Sequence, residues 1–114
     1  NLEKTASNRI SFLETNKDER FLNYVFEGYY SSLIELLHAK LLLDGFKVEN
    51  HICIGYYIRD VLKDVSLFQL FDDFRYKRNS LIYYGKEMDD IVVKKTLHKM
   101  VKTIKEVQNI LLDK

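Results

Sequence analysis

Apolar residues recur along this chain at steps of three and four, and no stretch keeps the two-residue alternation of a half-buried strand. Leu2, Ala6, Ile10 and Leu13 share one face of a first predicted helix, which closes near Thr15 and Asn16, where polar side chains compete for backbone hydrogen bonds. The second and longest predicted helix runs from about Lys17 to Asp44, with Leu22, Phe26, Tyr29, Leu33, Leu36 and Leu37 as its stripe. Gly28 inside it costs up to about 1 kcal/mol relative to alanine and permits a close helix approach. Gly45 suits the left-handed position that ends a helix. After a loop from Phe46 to Glu49, Asn50 is a good cap for a helix over His51 to Lys63, whose inner face is Ile54, Tyr57, Ile58 and Val61. Ser66 is expected to cap the next helix, starting near Leu67, and Gly85 to interrupt it. Met88-Asp89-Asp90 makes an acidic start for the last helix, where Val93, Leu97, Met100, Ile104, Val107 and Leu111 follow a 4-3-4-3-4 spacing, with Val101 beside them. The expectation is an all-α, antiparallel four- to five-helix bundle, one domain over residues 1–114.

The fourth helix breaks its own pattern. Its stripe runs Leu67, Phe71, Phe74, Arg78, Leu81, so a guanidinium occupies a place that calls for another Leu or Phe. Burying an unpaired charge costs several kcal/mol, so Arg78 must find a carboxylate, solvent or a ligand. Asp72, Asp73, Glu35 and Asp60 are the candidate structural partners. Arg75 and Lys77 beside it make a short basic cluster, read first as a solvated face and second as a phosphate contact.

Composition narrows the classes further. The 114 residues are 46% hydrophobic and 31% charged, enough for one core and against wholesale disorder. A formal net charge of +1 gives no overall footprint for nucleic acid, leaving only a local one. The single cysteine, Cys53, forms no intramolecular disulfide and reads as a small buried apolar residue, which fits a cytoplasmic location. No apolar run approaches the roughly 18 residues of a membrane span, and no leader-like start is visible. The chain opens on Asn1 without a methionine, so residues missing from the native N-terminus stay an open alternative. His38, His51 and His98 lack metal-ligand spacing, and there is no phosphate-binding glycine loop, dinucleotide fingerprint or Ser/His/Asp set, so neither metal nor cofactor is expected.

Two segments resemble a known family. Tyr29-Tyr30-Ser31-Ser32-Leu33-Ile34-Glu35-Leu36-Leu37-His38-Ala39-Lys40-Leu41-Leu42-Leu43-Asp44-Gly45, followed by a loop to His51, is similar to the long helix of HEPN domains. Those domains are small helical bundles of prokaryotic toxin–antitoxin and nucleotidyltransferase-linked proteins. Arg78-Asn79-Ser80-Leu81-Ile82-Tyr83-Tyr84-Gly85 resembles the family signature, an arginine usually followed by Asn or another polar residue, then four to six residues and a histidine. The resemblance spans about residues 17–112 and implies a dimer with a cleft lined by Arg78, Asn79 and Tyr83, which binds RNA or a nucleotide. Arg75 and Tyr84 join the implied ligand-binding set. Tyr83 stands where the family expects histidine. A phenol with an ordinary pKa near 10 is a poor general base at pH 7, though it can donate a hydrogen bond to phosphate or stack on a base.

Catalysis is therefore expected to be weak or absent, with Arg78 and Tyr83 as the residues that would carry any. The alternatives are a metal-independent endoribonuclease toxin and a non-catalytic module for a nucleotidyltransferase antitoxin partner. Asn79 either touches ligand or fixes Arg78, and its i,i+4 spacing lets it meet Tyr83. One of Tyr83 and Tyr84 is expected to line the cleft, the more cautious reading of both being amphipathic packing. A histidine delivered from His51 or His98 is the less favoured arrangement.

Overall fold

The computed structural model describes residues 1–15, 18–47 and 49–112. Five helices form among them: α1 (Leu2–Thr15), α2 (Leu22–Leu43), α3 (His51–Asp60), α4 (Val65–Tyr84) and α5 (Asp90–Leu112). A single 3-10 turn, Glu19–Phe21, leads into α2. The all-α bundle expected from the periodicity is what the chain forms, with no strand among the described residues. The helix end placed at Asn16, the helix start placed at Lys17 and Val48 of the expected loop lie outside the described residues.

Asx side chains start four of the helices by accepting an otherwise orphaned backbone N–H. Asn1 accepts from Lys4, Asn50 from Cys53, Asp64 from Leu67 and Asp89 from Val92, at 2.7–3.1 Å. Asp64 therefore caps α4 in place of Ser66, and the helix begins two residues earlier than expected. The third helix also ends earlier, at Asp60, leaving Val61 as its exposed terminal residue rather than part of the inner face. Past α2 the chain turns through Gly45 at φ +85°, with Gly45 N–H bound to Leu42 O and Phe46 N–H to Leu41 O. This paired closure satisfies two terminal carbonyls and is open to glycine at little cost.

α2 is the axis of the molecule. It packs against each of the other four helices, and 13 of its 22 residues are buried, far more than one amphipathic face holds. Along α1 the pairings run in opposite directions: Leu13 lies against Gly28, while Arg9 reaches Ser32 and Glu35. These two helices are therefore antiparallel. A Cβ at Gly28 would sit 3.0 Å from both Leu13 methyls, which explains the glycine inside a long helix. α3 and α4 are antiparallel as well, with Gly55 against Phe71 and Phe68, and Arg59 over Phe68.

The stripe of α4 buries Leu67, Phe71, Phe74 and Leu81, and Phe74 meets Phe26 of α2 edge-to-face at 6.2 Å. α5 buries every residue of its expected seam. Polar ties fix its register: Asn23 of α2 both donates to Met88 O (3.0 Å) and accepts from Met88 N–H (2.8 Å). Lys77 of α4 bonds Asp73 (2.7 Å) and reaches Thr96 of α5 (3.2 Å).

Phe74 has no exposed surface and sits one turn before Arg78. Phe74→Ala should cost about 3–5 kcal/mol in denaturant unfolding, a large part of the roughly 5–15 kcal/mol typical of a domain. Tyr84→Ala, on an open surface, should stay within about 0.5 kcal/mol.

Candidate functional site

The five apolar-stripe positions of α4 place Arg78 over α2, one turn beyond the Phe74–Phe26 contact. Its guanidinium carbon lies 5.5 Å from the ring centroid of Tyr30 and 6.0 Å from that of Tyr83. Nη1 donates to Asn79 Oδ1 over a long 3.3 Å. The buried Nε–H has no hydrogen-bond partner among the described residues. Leaving such a donor unmet costs about 1–3 kcal/mol, and the two aromatic faces offset part of that through cation–π attraction.

None of the four carboxylates expected as structural partners reaches Arg78. Glu35 is bound by Arg9 (2.5 Å), Asp72 by Arg75 (3.1 Å), Asp73 by Lys77 (2.7 Å) and Asp60 by Arg59 (2.8 Å). Each of these acids is held by a cation of its own, and three of the four pairs lie within four residues in sequence. Arg78 is thus a half-buried cation with no anion beside it among the described residues.

The first residue of α3 completes the cluster. His51 Nδ1 lies 3.3 Å from the Tyr30 hydroxyl, with the two rings tilted at 56° and 5.9 Å apart. Burial, then the charges of Arg78 and Arg75, lower the His51 pKa from its ordinary value of 6.5, so the imidazole is neutral at pH 7. Burial outweighs the same two arginines at Tyr30 and raises its pKa to about 12. Tyr30 therefore keeps its proton, and its only acceptor among the described residues is His51 Nδ1. The imidazole proton accordingly sits on Nε2, making that nitrogen a donor. His51 is the first residue of α3, so the positive N-terminal end of that helix lies at the same cluster.

The expected residues divide as follows. Arg78, Asn79 and Tyr83 come together, with Asn79 fixing the guanidinium and Tyr83 flanking it. Arg75 acts on His51 and Tyr30 by charge while holding Asp72. Tyr84 is 76% exposed and makes no ring or hydrogen-bond contact among the described residues. Lys77 is committed to Asp73 and Thr96. His98 lies elsewhere, in a groove between α5 and Leu22. His51, the less favoured source of a histidine, is brought in, and so is Tyr30, which the sequence stripe passed over. The signal for Tyr30 was a second apolar line on α2, Phe26-Tyr30-Leu33-Leu37, at helical spacing. No group of three His, Cys, Asp or Glu able to hold a metal forms among the described residues.

The cluster offers donors and positive charge: a guanidinium with an unmet N–H, a second guanidinium, an imidazole N–H and a helix N-terminus. Such a set binds an anion, above all phosphate. Comparison with family models, curated proteins and solved structures finds no match to this chain, so the site stands on its own residues.

Two consequences can be measured. The His51 pKa is lower folded than unfolded, so its neutral form stabilises the fold above pH 6.5, and that contribution is lost as pH falls through the folded-state value. Thermal unfolding from pH 7 to 5 should therefore show a smaller drop for His51→Gln than for the native chain. Nitrogen NMR of His51 should report the proton on Nε2, and Arg78→Met should move its titration back toward 6.5. A proton on Nδ1 in the native chain would rule out the tautomer assigned here.

Proposed function

We propose that this chain is a HEPN-like domain that binds the phosphate of RNA or of a nucleotide between α2, α3 and α4, with catalysis weak or absent. One observation carries the reading: Arg78 is half-buried, its Nε–H is unmet, and each of the four carboxylates expected as its partner is held by another cation. A structural arginine would have taken one of those carboxylates. The local surplus of positive charge stands out against a nearly neutral chain. Tyr83, 68% exposed beside Arg78, is placed to hydrogen-bond a phosphate oxygen or stack on a base. Ile82, Tyr83 and Tyr84 leave an exposed apolar surface at the end of α4, which supports pairing with a second copy across the cleft.

The weakness of catalysis follows from proton placement. Cleavage at a 2′-hydroxyl needs a free lone pair that titrates near neutrality. A tyrosine, Tyr83, fills the place of the family histidine, and Tyr30 occupies the Nδ1 lone pair of His51 while Nε2 carries a proton. A second reading, the metal-independent endoribonuclease, draws on one observation: an Arg–His pairing is present through His51 although the expected histidine is replaced by Tyr83. It requires the opposite tautomer.

Binding of a fluorescent single-stranded oligoribonucleotide tests the first reading. Arg78→Ala should weaken it by at least roughly tenfold, the loss expected for a hydrogen bond to a charged group. Affinity should also fall as salt rises. An anion facing Arg78 and Arg75 cancels two of the three causes that lower His51, so its pKa rises on binding. Binding then takes up protons and tightens as pH falls from 7 toward 6, measurable by calorimetry in two buffers. Native affinity that is unchanged in Arg78→Ala would defeat the reading. Strand cleavage in EDTA that is lost in both Arg78→Ala and His51→Ala would establish the nuclease instead.

A further inference from the structure

We propose that the groove between α3 and α4 is a base-binding subsite of the phosphate site described above, so that the ligand is a nucleotide unit with its ring between the helices and its phosphate on Arg75 and Arg78. The inference rests on the phosphate reading and adds the part of the ligand that charge alone does not recognise.

The groove exists because Gly55 has no side chain. A Cβ there would lie 3.3 Å from Phe71 and 3.6 Å from Phe68, so the helices close on bare backbone and leave a shallow slot beside it. Ile52 and Tyr56 of α3 form one wall and Phe68 of α4 the other. The slot holds about 270 Å³, at the lower edge of the roughly 300–1,000 Å³ of small-molecule pockets. That is room for one ring system, and too little for a folded peptide segment.

Two ion-paired arginines flank its aromatic walls, Arg59 with Asp60 and Arg75 with Asp72. Arg59 lies over the Tyr56 ring at 5.0 Å and the Phe68 ring at 5.9 Å, which holds both aromatic planes in place. Ile52 follows His51 directly in the chain, and Arg75 belongs to the slot while acting on His51 by charge, which sets the slot beside the phosphate cluster. Asp72 is the carboxylate on its rim, bound to Arg75 at 3.1 Å. A carboxylate there disfavours an anion inside the slot, so the phosphate falls to Arg78 and to the Arg75 N–H groups that Asp72 leaves free. An uncharged, flat, polarisable ring is the occupant this arrangement favours, and base–aromatic stacking contributes about 1–3 kcal/mol per base. The exposed Tyr84 of a second copy is the competing occupant, and the experiment separates the two.

Tyr56 is 52% exposed and removable without opening the core. The probes are a single-stranded oligoribonucleotide, the same oligomer with abasic sites, and a free mononucleotide. Tyr56→Ala should weaken the intact oligomer roughly tenfold, within the range of base stacking, and leave the abasic oligomer within twofold. Tyr56→Phe, which keeps the ring, should bind as the native chain does. Parallel loss for the mononucleotide makes a free nucleotide the ligand; loss for the oligomer alone makes it a strand. Unchanged oligomer affinity in Tyr56→Ala overturns the subsite while leaving the phosphate site standing, as does a fall in sedimenting mass with unchanged RNA affinity, which would give the slot to a second copy. A native chain that binds neither the intact nor the abasic oligomer overturns the phosphate reading as well.

Discussion

The fold depends on α2 being buried over most of its circumference. A helix buried on one side can sit at the edge of a bundle; a helix buried on most of its circumference must be surrounded. α2 touches α1, α3, α4 and α5 and supplies Phe26, Tyr29, Tyr30, Leu33 and Leu37 to contacts in several directions. At 22 residues and about 1.5 Å per residue, it also spans most of the 40 Å long axis. The outer helices each bring one stripe to it. Their polar ties, Arg9 to Glu35 and Asn23 to Met88, then fix register rather than supply the main stabilisation.

That arrangement produces the site as a by-product of packing. Where α4 crosses α2, the Phe74–Phe26 contact fills the interface, and the next stripe position along α4 is Arg78. The facing α2 residue there is Tyr30, whose ring can receive a cation but not neutralise it. The start of α3 then sets His51 against the Tyr30 hydroxyl. Three helices thus meet at a point where the apolar seam gives way to donors. Local i,i+3 and i,i+4 pairs along α4 use up Asp72 and Asp73, which keeps the neighbouring acids away from Arg78. The positive charge survives because short-range pairing is satisfied first.

Much of this was legible in the chain, and the rest has definite reasons for being hidden. Stripes at 3.6-residue spacing located all five helices, and Gly45, Asn50 and Gly85 took the terminal positions their chemistry favours. The α4 boundary was misplaced because two polar residues, Asp64 and Ser66, could each serve as cap, and only backbone geometry chooses Asp64. Val61 looked like a core position by spacing, but α3 ends before it. Arg78 was visible as a broken stripe. Its partner set was not, since which acid reaches which base depends on helix rotation. Tyr30 was hidden for a related reason: on a helix buried almost all round, a single best stripe discards residues that another neighbour buries.

The pairing of His51 with Tyr30 bears most directly on chemistry. A histidine near an arginine invites a nuclease reading, but the direction of one hydrogen bond decides its use. Burial holds the phenol in its protonated form, so it donates and the imidazole accepts. The other ring nitrogen is then an N–H, suited to holding a phosphate oxygen and unsuited to removing a proton. Reversing the bond requires the phenol to accept from Nδ1–H, leaving its own proton without an acceptor among the described residues. That cost falls on a fully buried phenol already next to two guanidinium charges. The same residues that concentrate positive potential for an anion thus hold the histidine neutral in the free chain, and a change from binding to cleavage would have to begin at Tyr30 rather than at Arg78.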